Sequence, residues 1–462
     1  MSRPIRVLHI IGGGEIGGAE IHILDLARHL DPAEVELHLC CLFPEPLLQR
    51  ARLLGIPATA VPMRSKVDVT SWWHVLQTVM RIQPDLVHTH GVRANLLGRL
   101  AAKVAGVPCT VTTVHSVLEF DYPDAATRWF NTWSERITAP LTDRFIVVAE
   151  FLKAYLVKQG IAPAKITVIH NGIDEAKFLP RFWAEKNALA LGTDNKGAAP
   201  TAALPMTMER TKITESPAEG ELTEVAGLLE TAELAEAASL PEASEMTQEE
   251  WRFLRRRGVR QMLGIDDQVP VVGMVGRFHT VKGHSILVTA AREILKIDRR
   301  VVFLLIGDGN LRPEIQAQVE LDGMTDNFVF TGFREDVADL YWAMDILALP
   351  SLSEGLCLTL MEGMLCACPP VATGVGGNPE IVSHEKNGLI VPSGDALGLA
   401  AALLRLIQNP QEALRLGQCA RKTILERFAV RRTAERTAAL YRQLAQGKRN
   451  NASDAEMEGN SE

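Results

Sequence analysis

The sequence predicts an α/β protein of two doubly wound, mostly parallel sheets facing a central cleft, with a long acidic insertion between them. Three observations lead there. Short apolar runs alternate with amphipathic stretches over 5–175 and again over 258–445, the rhythm of strand–helix–strand units. Glycine clusters follow the apolar runs in both halves, around Gly12, Gly276, Gly307 and Gly374. Between the halves, 213–250 carries eleven Glu and no Lys or Arg, a composition that cannot bury enough apolar surface to order itself.

The bulk properties set bounds. A chain of 462 residues predicts two or three domains. Hydrophobic and charged contents of 47% and 23% are those of an ordinary soluble protein. A formal charge of −8 argues against a general nucleic-acid binder. The seven cysteines are scattered and form no Cys-x-x-Cys pair with a matching partner, so neither structural zinc nor a disulfide framework is supported. A reducing, cytoplasmic setting fits best. The N-terminus runs directly into a strand and a glycine loop, unlike a signal peptide. No apolar run reaches spanning length, which leaves open peripheral contact at the inner membrane face.

In the first half, the strand 6–11 leads into Gly12, Gly14 and Gly17 and then a helix over 21–30. The spacing matches the dinucleotide fingerprint, which predicts a Rossmann-like domain. The second strand, 35–42, ends without the acid that would hold a ribose. A nicotinamide or flavin is therefore disfavoured, although the loop still suits a phosphate-bearing ligand; the alternative is a plain tight turn. His88, His90, His115 and His170 all fall near carboxyl ends of predicted strands, the ligand edge of such sheets. His88-Thr-His90 suggests a metal, but no third ligand stands at metal spacing, so none is expected. The aromatics of 119–142, including Phe120, Tyr122, Trp129, Phe130 and Trp133, are read as core, with an acceptor groove as the alternative.

In the second half, Arg277 and Lys282 follow the strand 269–275 and precede a helix. Two cations there make a polyphosphate clamp. The strand 345–349 leads into Glu354 and Glu362, eight positions apart. With Gly355 to Leu358 as the first helical turn, their amides would face an anion, Glu354 would sit at the rim, and Glu362 two turns deeper. Two acids beside an anion site suit sugar or ribose hydroxyls; the bland alternative is a helix cap and an unrelated surface acid. Helices are predicted over 399–407, 410–428 and 432–444, and the tail from 447 is read as disordered.

Together, Gly17-Gly-Ala-Glu20, Val114-His115, His170-Asn-Gly-Ile-Asp174, Gly276-Arg-Phe with Lys282-Gly283, Gly307-Asp-Gly309, Gly332-Phe-Arg-Glu335, Glu354…Glu362 and Gly374-Val-Gly-Gly377 resemble family 4 of the retaining, nucleotide-sugar-dependent glycosyltransferases, with the two-domain GT-B fold. The resemblance spans both halves and excludes the insertion. It implies an acceptor-side domain over 1–175, an insert over 176–250, a donor-binding domain over 251–428 and a helix over 429–446 that returns to the first domain. Arg277 and Lys282 would hold the donor diphosphate in place of a metal ion, and no cofactor is implied. Glu354 would hold the transferred sugar and Glu362 the ribose. Backbone at Gly17, Gly18, Leu356, Cys357 and Leu358 would complete the phosphate cradle. His115 would reach the donor sugar or reacting phosphate, Asn171 belongs to the donor-binding set, and Gly332, Phe333 and Arg334 would border the base. UDP is the default nucleotide. The acceptor hydroxyl would belong to a glycan, a lipid-linked glycan or a small molecule. An epimerase on the same fold and a non-catalytic scaffold are the competing readings.

Overall fold

The computed structural model describes residues 3–178 and 247–459, apart from 13, 15, 44, 62, 64–67 and 119–123. The expected disordered insertion therefore lies outside the described residues over 179–246, as do Phe120 and Tyr122. Residues up to Phe178 and from Arg256 onward form one compact unit.

The first half contains β1 (Ile5–Ile11), α1 (Gly18–His29), β2 (Val35–Cys41), α2 (Leu47–Leu53), β3 (Ala58–Ala60), α3 (Val69–Ile82), β4 (Leu86–His90), α4 (Val92–Val104), β5 (Cys109–Val114), α5 (Ala125–Thr138), β6 (Arg144–Val147), α6 (Glu150–Lys158) and β7 (Ile166–Val168). The second contains α7 (Gln248–Met262), β8 (Val271–Val275), α8 (His284–Leu295), β9 (Val302–Ile306), α9 (Arg312–Leu321), β10 (Phe328–Gly332), β11 (Ile346–Leu349), α10 (Leu358–Leu365), β12 (Pro370–Thr373), β13 (Leu389–Val391), α11 (Ala396–Gln408), α12 (Pro410–Arg427) and α13 (Val430–Gly459).

The strand orders are β3-β2-β1-β4-β5-β6-β7 and β10-β9-β8-β11-β12-β13. The strand pairings in both sheets are parallel. In each sheet the chain steps outward on one side, then returns to the other side of its first strand. The reversal lies between β1 and β4 in one sheet and between β8 and β11 in the other. Such reversals open a crevice beyond the carboxyl ends of the strands. These are two Rossmann-like domains.

Both faces of β1 are buried, so it reads as a nearly continuous apolar run. Val7 and Ile11 pack with Ile23 and Leu26 of α1, and Leu8 and Ile10 pack with Val75 of α3 and Leu97 of α4. The first of these cores also takes Ala434, Ala438, Leu440 and Tyr441 of α13. The last helix thus closes the first sheet. The crossing is fixed by Ile173 N–H donating to Phe428 O (2.8 Å) and Val430 N–H to Ile173 O (3.0 Å).

The structure departs from expectation at several elements. Helix α10 begins at Leu358, capped by Cys357, not at Gly355. The Gly355 carbonyl accepts from Gly377 N–H at 2.8 Å, so it serves a neighbouring loop and not a helix ladder. Glu362 accordingly lies little more than one turn inside. Helix α13 runs on to Gly459, past both the expected end at Leu444 and the start of the expected disordered tail; no proline interrupts that stretch. The three-residue strand β13 went unpredicted because it is too short to show a pattern.

Candidate active site

The second sheet builds its site at the β8/β11 reversal. Lys282 ends a 3-10 turn after β8. Gly283 follows with φ 77°, and a Cβ there would stand 2.1 Å from the Pro350 carbonyl oxygen. This close approach pins the end of the turn to the exit of β11. Lys282 Nζ donates to Glu354 Oε1 at 2.7 Å, and Ser351 Oγ donates to the same oxygen at 2.6 Å. The Glu354 side chain is 8% exposed. Burial works against the Lys282 charge, but Glu354 and its hydrogen bond prevail, and the ammonium pKa is raised. Arg277 is exposed at the same strand end, near enough to act on the Lys282 charge. Glu362 accepts from the buried Tyr341 hydroxyl at 2.8 Å. Burial raises its pKa above the ordinary carboxylate value, against the opposing hydrogen bond. Burial, reinforced by Glu354, pushes the Cys357 thiol up to about 12, so it stays protonated.

The first sheet presents its own ligand edge to this site. A Cβ on Gly355 would lie 1.9 Å from the His115 carbonyl oxygen, and one on Gly18 would lie 3.6 Å from Leu358 Cδ1. The loop before α1 and the residue after β5 therefore stand against the start of α10. Glu380 ties the halves further. Its carboxylate accepts from Glu150 N–H (2.9 Å), Phe151 N–H (3.2 Å) and His170 Nε2 (2.9 Å), capping the N-terminus of α6 from the other half.

The histidines divide. His88 lies inside β4 and away from the open edge, whereas His90 ends the strand as expected and borders the cavity beside His115; both are buried. Alternation puts both on one face of the strand, beside His9 of β1. Ligand atoms of His9, His88 and His90 lie within 4.8 Å of one another, so His9 supplies the third imidazole that the sequence did not reveal. Their nitrogens are already engaged by one another, His115, Thr113 and Tyr441. His115 follows β5 with its Nδ1 buried and without a partner among the described residues. Burial, then His22, lowers its pKa to about 3. His170 is committed to Glu380.

Beside His115 lies a cavity of about 740 Å³, lined in part by Phe43, Val92, Leu118, Thr132, Arg136 and Tyr155. The tryptophans of α5 are not core: Trp129 is 68% exposed and Trp133 49%, with Ile137 at 55% beyond them, while Phe130 is half-buried. Trp129, Trp133 and Ile137 recur every fourth residue and form one stripe on the helix surface.

The remaining expected residues are spread out. Gly17 caps α1, its N–H donating to Glu20 Oε2 at 3.1 Å. Gly332 ends β10, and its carbonyl accepts from Gly307 N–H at 2.9 Å, on the same sheet edge as Arg277. Phe333 is exposed, and Arg334 donates from Nε to Asp336 Oδ1 at 2.7 Å. Asn171 is buried near the crossing to α13, its Oδ1 without a partner among the described residues. Sequence reasoning missed Ser351, Tyr341, Glu380 and Tyr441. Ser351 had a usable signal, the Ser-x-x-Glu spacing directly after a strand. Tyr441 had none, since 432 residues separate it from His9.

Two reversal points facing each other, one carrying an ion pair and a second buried carboxylate and the other a glycine loop and an imidazole, define a glycosyltransferase of the GT-B fold. Residues 16–177 match the model of Glycosyltransferase Family 4, and residues 269–409 that of the group 1 glycosyl transferases. The chain belongs to the GT-B glycosyltransferases built from these two domains. It is 23% identical over 445 residues, 95% of this chain and 96% of that protein, to an Escherichia coli UDP-Gal:alpha-D-GlcNAc-diphosphoundecaprenol alpha-1,3-galactosyltransferase. A 2-deoxystreptamine glucosyltransferase of Streptomyces kanamyceticus is 33% identical over 192 residues, 41% of this chain and 48% of that protein. In three dimensions, Anabaena HepE in complex with UDP superposes with a TM-score of 0.70 at 20% identity, covering 95% of this chain and 100% of that one.

Proposed function

We propose that the protein moves a sugar from a nucleoside-diphosphate donor, UDP foremost, to a hydroxyl acceptor, with retention of configuration and without a metal ion. The observation that carries this is the Lys282–Glu354–Ser351 cluster at the β8/β11 reversal, closed over by His115. In this reading Arg277 and Lys282 take the donor diphosphate and stabilise its charge as it leaves. Amides at the start of α10 and in the loop before α1 assist. Glu354, released from Lys282 by the incoming anion, holds a hydroxyl of the transferred sugar. Glu362, oriented by Tyr341, holds the ribose. Gly332 to Arg334 border the base, and Asn171 supports the loop beneath.

The bond between the anomeric carbon and the phosphate oxygen breaks, and its electron pair stays on that oxygen. The acceptor oxygen bonds to the same face of the carbon, and its proton passes to the departing phosphate. The glutamates position; they neither attack nor relay the proton. The UDP preference is supported by the UDP-bound Anabaena structure and by the UDP-Gal donor of the Escherichia coli relative.

That relative also acts on a lipid diphosphate acceptor, and two features here suit one: the cavity beside His115 and the exposed Trp129–Trp133–Ile137 stripe. No helix among the described residues is long and apolar enough to cross a membrane, so the contact proposed is peripheral, at the inner face.

Nucleoside diphosphate released from a panel of nucleotide-sugars in the presence of EDTA tests the reading. Lys282→Ala or Glu354→Gln is expected to lower release roughly a hundredfold or more, as for loss of an electrostatic stabiliser of the transition state. Full release by either variant would overturn these roles.

A further inference from the structure

Thr113, His88, Tyr441, His9, His90 and His115 form one unbranched row of hydrogen bonds. Thr113 Oγ1 meets His88 Nε2 at 2.7 Å, and His88 Nδ1 meets the Tyr441 hydroxyl at 2.6 Å. The same hydroxyl meets His9 Nε2 at 3.1 Å, and His9 Nδ1 meets His90 Nε2 at 3.0 Å. His90 Nδ1 meets His115 Nε2 at 3.1 Å. Thr113, His88, Tyr441, His9 and His90 are all buried. Burial lowers the pKa of each imidazole far below neutrality, to about 3 for His9 and His115, so all four are uncharged near pH 7.

A neutral imidazole carries one N–H and one lone pair, and a tyrosine hydroxyl has a single proton to share between two neighbours. Each ring must donate on one side and accept on the other. With the buried Tyr441 hydroxyl also donating within the row, so that its proton is not stranded, the row has two polarities. In one, Thr113 donates to His88, His88 to Tyr441, Tyr441 to His9, His9 to His90, and His90 to His115 Nε2. Every proton inside the row finds an acceptor, and His115 must carry its own on Nδ1, the one buried nitrogen of the row that no described residue meets. In the other, all links reverse. Thr113, whose one side-chain partner among the described residues is His88, then keeps a buried hydroxyl proton with no acceptor. The reversed row thus leaves two buried groups unmet, the Thr113 proton and the His115 Nδ1 lone pair, where the first leaves only the His115 Nδ1–H, and this selects the first polarity.

We propose that Tyr441 is a positioning residue which, through this row, fixes His115 as the neutral Nδ1–H tautomer, presenting an N–H donor to an oxygen of the sugar or diphosphate rather than a base. The identity of that oxygen rests on the donor-site reading above; the tautomer does not.

Long-range proton–nitrogen correlation spectra of the full chain, labelled with 15N-histidine at neutral pH, read the tautomer directly. The His115 signals are assigned by their loss in His115→Gln. The expected pattern is a protonated Nδ1 and an unprotonated Nε2. Tyr441→Phe cuts the row, so His115 should populate both tautomers. Donor turnover should fall about tenfold to a hundredfold, the range for losing a partner that orients a functional histidine, with kcat falling more than KM rises. Thr113→Val should act the same way, and Thr113→Ser should restore the single tautomer; this pair decides the matter if Tyr441→Phe does not fold. A wild-type Nε2–H tautomer, an imidazolium, or an unchanged tautomer in folded Tyr441→Phe overturns the proposal. If the tautomer is as stated but His115→Gln keeps full donor turnover, it is the donor-site role of His115 that fails.

Discussion

Gly355 stands where the loop after β11 meets the residue after β5, its Cα turned toward the His115 carbonyl. A methyl group there would stand 1.9 Å from that oxygen, and the obstacle is backbone, which cannot swing aside. Gly355→Ala is expected to hold the two edges apart. Donor turnover should drop by about tenfold or more, because small displacements of positioned groups are costly to rate, while the melting temperature stays nearly unchanged. An active Gly355→Ala enzyme would show that the edges need not meet. The buried imidazoles make a second residue-scale claim. In the fold His9 and His115 are neutral down to about pH 3 and His22 to about 4. In the unfolded chain each binds a proton below about 6.5. The unfolded state thus takes up more protons as pH falls. Stability is fully present above about 6.5 and declines below it, by up to about 1.4 kcal/mol per pH unit for each such imidazole. Calorimetry should find a flat melting temperature from pH 7 to 8 and a steep fall from 6.5 to 5, shallower in His22→Leu. A flat profile throughout would mean that these rings are charged or exposed.

At the scale of elements, the sequence was most legible where chemistry and pattern coincide within a few residues. Arg277, Lys282 and Glu354 each follow an apolar run at the carboxyl end of a strand, and a parallel sheet leaves such residues nowhere else to point. The row of histidines was only half legible. The i, i+2 spacing of His88 and His90 placed both on one strand face, but which strand faces them, and which helix covers them, is decided by topology. Helix α5 shows the opposite failure. Its tryptophans look like core by residue type, yet α4 packs against its other side through Arg99, which donates to Glu135 at 2.8 Å; the aromatic stripe is left facing out. If that stripe rests on a bilayer, Trp129→Ser together with Trp133→Ser should reduce sedimentation with anionic phospholipid vesicles severalfold. Turnover of a lipid-linked acceptor should fall with it, and metal-free release from the donor alone should not. Equal sedimentation of variant and wild type would remove the membrane from the account.

Across the whole molecule, Glu380 makes three of the polar contacts that join the halves among the described residues. Glu380→Gln removes the charge from the α6 N-terminus and from His170. A helix-end contact of this kind is worth about 1 kcal/mol, enough to shift a balance between open and closed forms severalfold. Small-angle scattering should show a larger radius of gyration without nucleotide, and the donor KM should rise more than kcat changes. An unchanged radius and KM would mean that Glu380 does not gate closure.

Helix α13 bears on how this protein is made. The face of β1 that carries Val7, His9 and Ile11 leaves the ribosome early and is only partly covered by α1. The rest of its cover, Ala434 to Tyr441, is synthesised more than 400 residues later, as the 432-residue separation of His9 and Tyr441 measures. The first domain to be translated is therefore among the last to complete its packing. For most of synthesis a row of histidines broken at its Tyr441 link and an apolar seam must be kept from other chains, the hazard that attends long-range contacts in large proteins.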